Sequence, residues 1–325
     1  MTHAAAAPDA AARCARRGLL LGAIGVAIFA LSIPMTRLAS GSADAPQLPA
    51  VFVAIGRAAL AGVLAAVYLV LVRAPRPQRA QWRALAGTAA GVVFGWPLFL
   101  GLAVLHVDAI HASVVTGVLP LATAAIAALV LRQRPSAGFW LCALAGAALV
   151  IGFAAWQGGA GLVPADGLLL LAVLSASAGY VSGARLSAAM KPEHVISWVL
   201  VVSLPLTLPI AWATWPAQPV RPSAWIGFGY VALFSMWLGF FAWYRGLALG
   251  GTVRVSQVQL LQPFLSMLFA VPLLGERLDL ATVAFALGVM ATVFVGRRMP
   301  VGAPAAAVAA PAGARREPPT PQTPR

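Results

Sequence analysis

The sequence predicts an all-α integral membrane protein of ten transmembrane helices, arranged as two inverted five-helix repeats around a central cavity. Three observations lead there. Hydrophobic residues make up 61% of the 325-residue chain and charged residues only 9%, against about half and a quarter in soluble domains. Apolar stretches of about 20 residues, the length that crosses a hydrocarbon core, follow one another from Gly18 to Gly296. A spaced pattern also recurs: Ser113, Pro120, Leu131 and Arg134 return as Ser256, Pro263, Leu274 and Arg277, each pair 143 positions apart. Repeated halves of a membrane protein commonly meet around a midplane site. Long continuous apolar runs favour helices over a β-barrel, whose strands alternate over shorter segments.

The first helix is expected at 18–38. Arg13, Arg16 and Arg17 ahead of Gly18-Leu19-Leu20-Leu21 look like the start of a signal peptide, but the apolar run reaches Met35 and further spans follow, so an uncleaved first helix fits better. The remaining helices are expected at 50–72, 84–105, 109–131, 137–156, 166–188, 194–214, 223–245, 252–274 and 279–297. Breaks fall at Asp44-Ala45-Pro46, Arg73-Ala74-Pro75-Arg76-Pro77, Arg132-Gln133-Arg134-Pro135, Lys191-Pro192-Glu193 and Trp215-Pro216. This divides the chain into a basic cytoplasmic tail (1–17), a first repeat (18–156), an extracytoplasmic linker (157–165), a second repeat (166–297) and a C-terminal tail (298–325). The last is rich in Pro and Ala, cannot bury a core, and is expected to be disordered.

Basic residues set the orientation. With the N-terminus in the cytoplasm, Arg13, Arg16, Arg17, Arg73, Arg76, Arg79, Arg83, Arg132, Arg134, Arg185, Lys191, Arg297 and Arg298 all fall inside, and little more than Arg221 and Arg277 falls outside. That asymmetry places both termini in the cytoplasm of a multi-pass protein of the cell (plasma or inner) membrane. Five helices per repeat is an odd number, so the second half enters upside down. The net charge of +14 is thus a topology signal, and nucleic acid is not an expected partner. A lipid bilayer and a small-molecule solute are, and a homodimer stays open. Gly87, Gly91 and Gly95, and Ser175, Gly179 and Gly183, recur four apart, the spacing that lets membrane helices approach closely.

Ionisable residues at helix depth cost about 2.5–3.5 kcal/mol on insertion scales, so they mark candidate sites. Arg57 lies well inside the second helix, His111 near the start of the fourth and Arg254 near the start of the ninth; His111 and Arg254 are again 143 apart. A guanidinium matches the two oxygens of a carboxylate or phosphate, while imidazole titrates near neutrality and can carry a proton. Against this stand plain readings: a satisfied buried charge for Arg57, snorkelling for Arg254, a hydrogen-bonded histidine for His111. Asp108, Asp166, Glu193, Glu276 and Asp279 lie at helix ends, where capping and charge pairing account for them. Softer candidates are Ser113 and Thr116 after His111, Ser256, Gln257 and Gln259 after Arg254, and Gln262, whose neighbour Pro263 lacks a backbone donor. Trp96, Tyr180, Trp243 and Tyr244 offer flat walls, or an interfacial belt.

The tenfold plan, Pro120 and Pro263 within the fourth and ninth helices, Leu273-Leu274-Gly275-Glu276-Arg277-Leu278 closing the ninth, Arg57, and Trp243-Tyr244-Arg245-Gly246-Leu247-Ala248 closing the eighth resemble the EamA-type members of the drug/metabolite transporter superfamily. The resemblance covers nearly the whole chain between the tails. It makes Pro120, Pro263, Glu276 and Arg277 structural candidates and departs at Arg132-Gln133-Arg134, where the family often has Gly-Glu-Arg. It implies two inverted repeats enclosing a cavity and the movement of small organic solutes, often outward.

No zinc-helix, phosphate-loop or dinucleotide motif occurs, and Cys14 and Cys142 support neither a disulfide framework nor a metal cluster; neither enzyme activity nor a cofactor or metal is expected. The expected function is secondary transport by alternating access, with export of amino acids or related compounds first in line and proton coupling through His111 as one option. The alternative is an uncoupled exchanger, facilitator or channel for organic anions, nucleobases or lipophilic cations.

Overall fold

The computed structural model describes residues 6–130, 134–157, 163–187, 190–250, 255, 257–299 and 301–302. Among these, nine helices are long and apolar enough to span a membrane: α1 (Arg13–Ser40), α2 (Phe52–Leu71), α3 (Arg79–Ala103), α4 (Ala109–Val130), α5 (Ala137–Gln157), α6 (Pro164–Gly183), α7 (Pro192–Ala213), α8 (Pro222–Gly246) and α10 (Leu280–Arg298). A shorter apolar helix, α9 (Val258–Leu274), lies between α8 and α10.

Several boundaries differ from expectation for physical reasons. The expected tail of 1–17 is helical from Ala6 onward, because its alanines are the strongest helix formers and Pro8 sits in the first turn, where no donor is needed. At the other end, β1 (Arg134–Pro135) pairs antiparallel with β2 (Val301–Gly302), so the first residues of the expected tail are held; 303–325 lie outside the described residues. The ninth helix, expected from 252, narrows to a tight 3₁₀ turn at Gln257–Leu261 and becomes α-helical at Gln262; 251–254 and 256 lie outside the described residues. The fourth is broken in the same way: Ala109–Thr116 ends, and Leu119–Val130 resumes after Gly117 and Val118. Pro120 offers no N–H to the Thr116 carbonyl, and Pro263 none to Gln259, so both breaks follow from proline at matching positions.

Three helices widen into π-helical turns, at Phe52–Gly56 in α2, Ala89–Gly95 in α3 and Val231–Leu238 in α8. Sequence periodicity carries no signal for such turns.

The main contacts run between the two halves: α1 with α8, α3 with α6, α2 with α7, α4 with α9 and α5 with α10. Small residues bring the helices together, since lipid supplies no hydrophobic force between them. A Cβ on Gly91 would lie 2.2 Å from the Ser175 carbonyl and 2.7 Å from Gly179 Cα, and one on Gly246 would lie 2.6 Å from the Gly22 nitrogen. At one end of the bundle Phe52 stacks on Phe228 with centroids 5.0 Å apart, and Trp215 and Trp225 pack beside them.

Backbone-on-backbone packing of α3 and α6 predicts that Gly91→Ala destabilises by about 1–3 kcal/mol through overpacking. Gly229→Ala, whose Cβ meets nothing within 4 Å, serves as the control. Thermal unfolding in detergent checks both: an early melt is expected for the first only.

Candidate functional site

The helix breaks and π turns converge on the middle of the bundle. Two narrow adjoining cavities lie there. Trp96, Leu119 and Gln262 form walls of both. The first takes Ser113, Thr116, Gly117 and Pro120 from α4, and Gln259, Leu260, Pro263 and Ser266 from α9. Thr116 with Gln259, Gly117 with Leu260, Leu119 with Gln262 and Pro120 with Pro263 are each 143 positions apart, so equivalent positions of the two halves face one space. The carbonyls released by the two prolines belong to the same residues, Thr116 and Gln259.

The second cavity holds the charge. Arg57 lines it with Phe29, Ser32, Val92, Tyr180, Ser235, Met236 and Phe240. The π turn of α2 ends at Gly56, the turn of α3 at Gly95 next to Trp96, and the turn of α8 contains Ser235. All three distortions therefore deliver a cavity wall, in keeping with the frequent occurrence of π turns at functional sites. Arg57 is 3% exposed. It donates from Nη2 to Ser235 Oγ at 3.2 Å, and Ser235 Oγ lies 2.6 Å from Ser32 Oγ. Nε is buried with no hydrogen-bond partner, although a guanidinium carries five N–H donors.

At the end of the bundle bearing loop 275–279, two carboxylates of the second half hold three consecutive residues of the first. Glu276 accepts from the backbone N–H groups of Ala109 and Ile110, both at 2.8 Å. His111 Nε2 lies 2.7 Å from Asp166 Oδ1, with both residues buried, and Asp166 Oδ2 accepts from the Val163 N–H at 2.9 Å. Gly275 makes the first contact possible: its left-handed φ of 70° closes α9 and turns the chain back toward α4. Asp108, at the N-cap position of α4, makes no capping bond and pairs instead with Arg37 at 3.6 Å, while Arg37 also donates to the Val104 carbonyl. Asp279 caps α10 through the Thr282 N–H at 2.7 Å, which holds its carboxyl below the ordinary range.

The remaining candidates are placed as follows. Ser113 donates to the Ala109 carbonyl at 2.6 Å and pairs with Ser266 at 2.8 Å; Thr116 donates to the Ala112 carbonyl at 2.7 Å. Trp96, Tyr180 and Gln262 line the cavities. Tyr244 does not line either; it packs on Phe240 with centroids 5.6 Å apart. Arg277 is exposed on loop 275–279. Arg254 and Ser256, and with them the pairing of His111 opposite Arg254, lie outside the described residues, as does the side chain of Gln257. Sequence reasoning placed Asp166 among helix-end capping groups and missed it as the partner of His111. It also missed Ser235, Ser32 and Ser266. The 143-residue offset pairs Ser235 with Val92 and Ser266 with Thr123, neither of which stands out in the sequence, so it gives no signal for them.

Glu276→Ala removes the acceptor of two N–H groups at the start of α4, so a loss of about 1–3 kcal/mol is expected, read as an earlier thermal melt. The pH dependence has a definite sign. Burial, the largest influence, raises the Glu276 carboxyl above the ordinary glutamate range, and the bonds from Ala109 and Ile110 pull it partly back. The folded form therefore binds this proton more tightly than the unfolded chain. Its contribution is fully present below the ordinary glutamate range and is lost as pH rises through the raised value. Glu276→Gln, neutral throughout, is expected to flatten that part of a stability-versus-pH curve; an unchanged curve contradicts it.

Comparison with known proteins agrees with the geometry. The model of the EamA-like transporter family matches twice, at residues 16–154 and 163–296. A Bacillus subtilis (strain 168) protein described as "uncharacterized transporter YdeK" is 43% identical over 283 residues, which is 86% of this chain and 97% of that protein. A solved crystal structure with 18% identity aligns with a TM-score of 0.59, over 86% of this chain and 98% of its own, a likeness of fold. With its many apolar helices the chain is an integral, multi-pass membrane protein, and it belongs to the EamA-like transporter family, whose domain it carries twice.

Proposed function

We propose that this chain is a secondary transporter that exports small organic metabolites, carboxylate-bearing compounds first among them, by alternating access between two inverted repeats. The observation that carries the reading is the cavity, walled by equivalent residues of both halves where α4 and α9 are broken. Discontinuous helices at a repeat interface are where transporters hold solute. Contacts that exchange first-half and second-half elements, α1 with α8 against α6 with α3, support rocking of one half on the other. In the arginine-based orientation both termini are cytoplasmic, so the end held by Glu276 and Asp166 is extracytoplasmic.

The His111–Asp166 pair lies at that end, buried, and joins α4 of one half to α6 of the other. It is the proposed coupling site: an external proton taken up there accompanies outward release of solute. Reconstituted vesicles test both parts. Saturable flux with counterflow is expected, falling at least tenfold in Arg57→Ala. An acidic exterior should drive efflux, and His111→Gln and Asp166→Asn should lose that drive while keeping counterflow. Flux without saturation or counterflow contradicts the transporter reading. A pH gradient that never drives efflux removes the coupling and leaves uncoupled exchange.

A further inference from the structure

The charge inventory of the membrane interior is unbalanced. The chain has 8 acidic residues, and among the described residues none lines either central cavity. Arg57 is the one charged group among the described residues that line the two cavities. Among the described residues it forms no salt bridge, one of its five N–H donors finds an acceptor, and Nε is buried without a partner. A buried guanidinium in that condition carries most of its desolvation cost uncompensated. An anion in the cavity would offset it, and the fork of remaining donors fits two oxygens on one atom.

We propose that the cavity selects small organic monoanions, carboxylates with an apolar or aromatic body, and that it does not recognise the α-ammonium of an amino acid. This rests on the transporter reading above and narrows its solute class. Charge arithmetic decides between the candidates. One guanidinium and one carboxylate make a neutral pair, which rocking can carry past hydrocarbon at least cost. A zwitterion leaves a net positive cavity with its ammonium facing no carboxylate, and a phosphate dianion leaves a net negative one. Trp96, Tyr180, Phe29 and Phe240 line the cavity, but cation–π attraction does not replace a carboxylate partner, and an ammonium there sits beside Arg57. Those rings, with Val92, Leu119 and Met236, fit an apolar body instead.

Binding to the purified full-length protein at pH 7.5 tests this with matched probes of one shape: 3-phenylpropanoate, phenylalanine and phenethylamine, then 4-methylpentanoate, leucine and 3-methylbutylamine, with phenyl phosphate as the dianion. The expected order is acid tighter than zwitterion by at least tenfold, with weaker phosphate binding and no amine binding. Arg57→Gln should abolish the preference for the acid, and Arg57→Lys, which keeps the charge but not the fork, should weaken acid binding at least tenfold. Equal or tighter binding of the zwitterion, binding of the amines, or no binding of either acid to a protein that still shows counterflow overturns the inference and leaves the transporter reading standing. Acid binding without counterflow of any solute overturns the transporter reading, and the proposal with it.

Discussion

Two carboxylates of the second half gripping the first turn of α4 are the contact on which the rest of the arrangement depends. Glu276 satisfies two backbone donors that α4, broken seven residues later, has few other means of satisfying. Asp166 takes the next residue, His111, and ties it to the loop before α6 through the Val163 N–H. Because α4 is also a wall of the cavity, fixing its start fixes the position of Thr116, Gly117 and Pro120. The grip and the cavity are one mechanical unit.

Regular helices could not have built that unit. A continuous α-helix presents no free carbonyl and no sudden change of face, whereas the prolines of α4 and α9 release carbonyls at the cavity and the π turns of α2, α3 and α8 re-aim Arg57, Trp96 and Ser235 toward it. Such backbone is tolerated at membrane depth because protein, not lipid, surrounds it. Close packing of α3 on α6 and of α1 on α8 through glycine supplies that surround.

Much of this was legible in the residues. Composition and run length give the spans, and the 143-residue offset gives the doubling that the family match repeats at 16–154 and 163–296. The offset also pairs Pro120 with Pro263, structural candidates from the sequence that line one cavity. What stayed hidden has physical reasons. Asp166 looks like any capping aspartate until α4 and α6 are side by side, since partners 55 positions apart leave no local trace. Ser235 and Ser32 are small polar residues in apolar runs, and nothing in a linear pattern says that a π turn points one of them at Arg57. Tyr244 carried the same aromatic signal as Tyr180, yet packs away from the cavity on Phe240.

We propose that, in the arginine-based orientation, the hold of Glu276 and Asp166 on α4 shuts the cavity toward the extracytoplasmic side. Access of a membrane-impermeant maleimide to a cysteine replacing Gln262, in a background with Cys14 and Cys142 changed to serine, measures it most directly in right-side-out vesicles. Slow labelling from outside is expected with both carboxylates present, and labelling at least tenfold faster when Glu276→Gln and Asp166→Asn are combined. Fast labelling with both carboxylates intact, or no acceleration in the double variant, would contradict it.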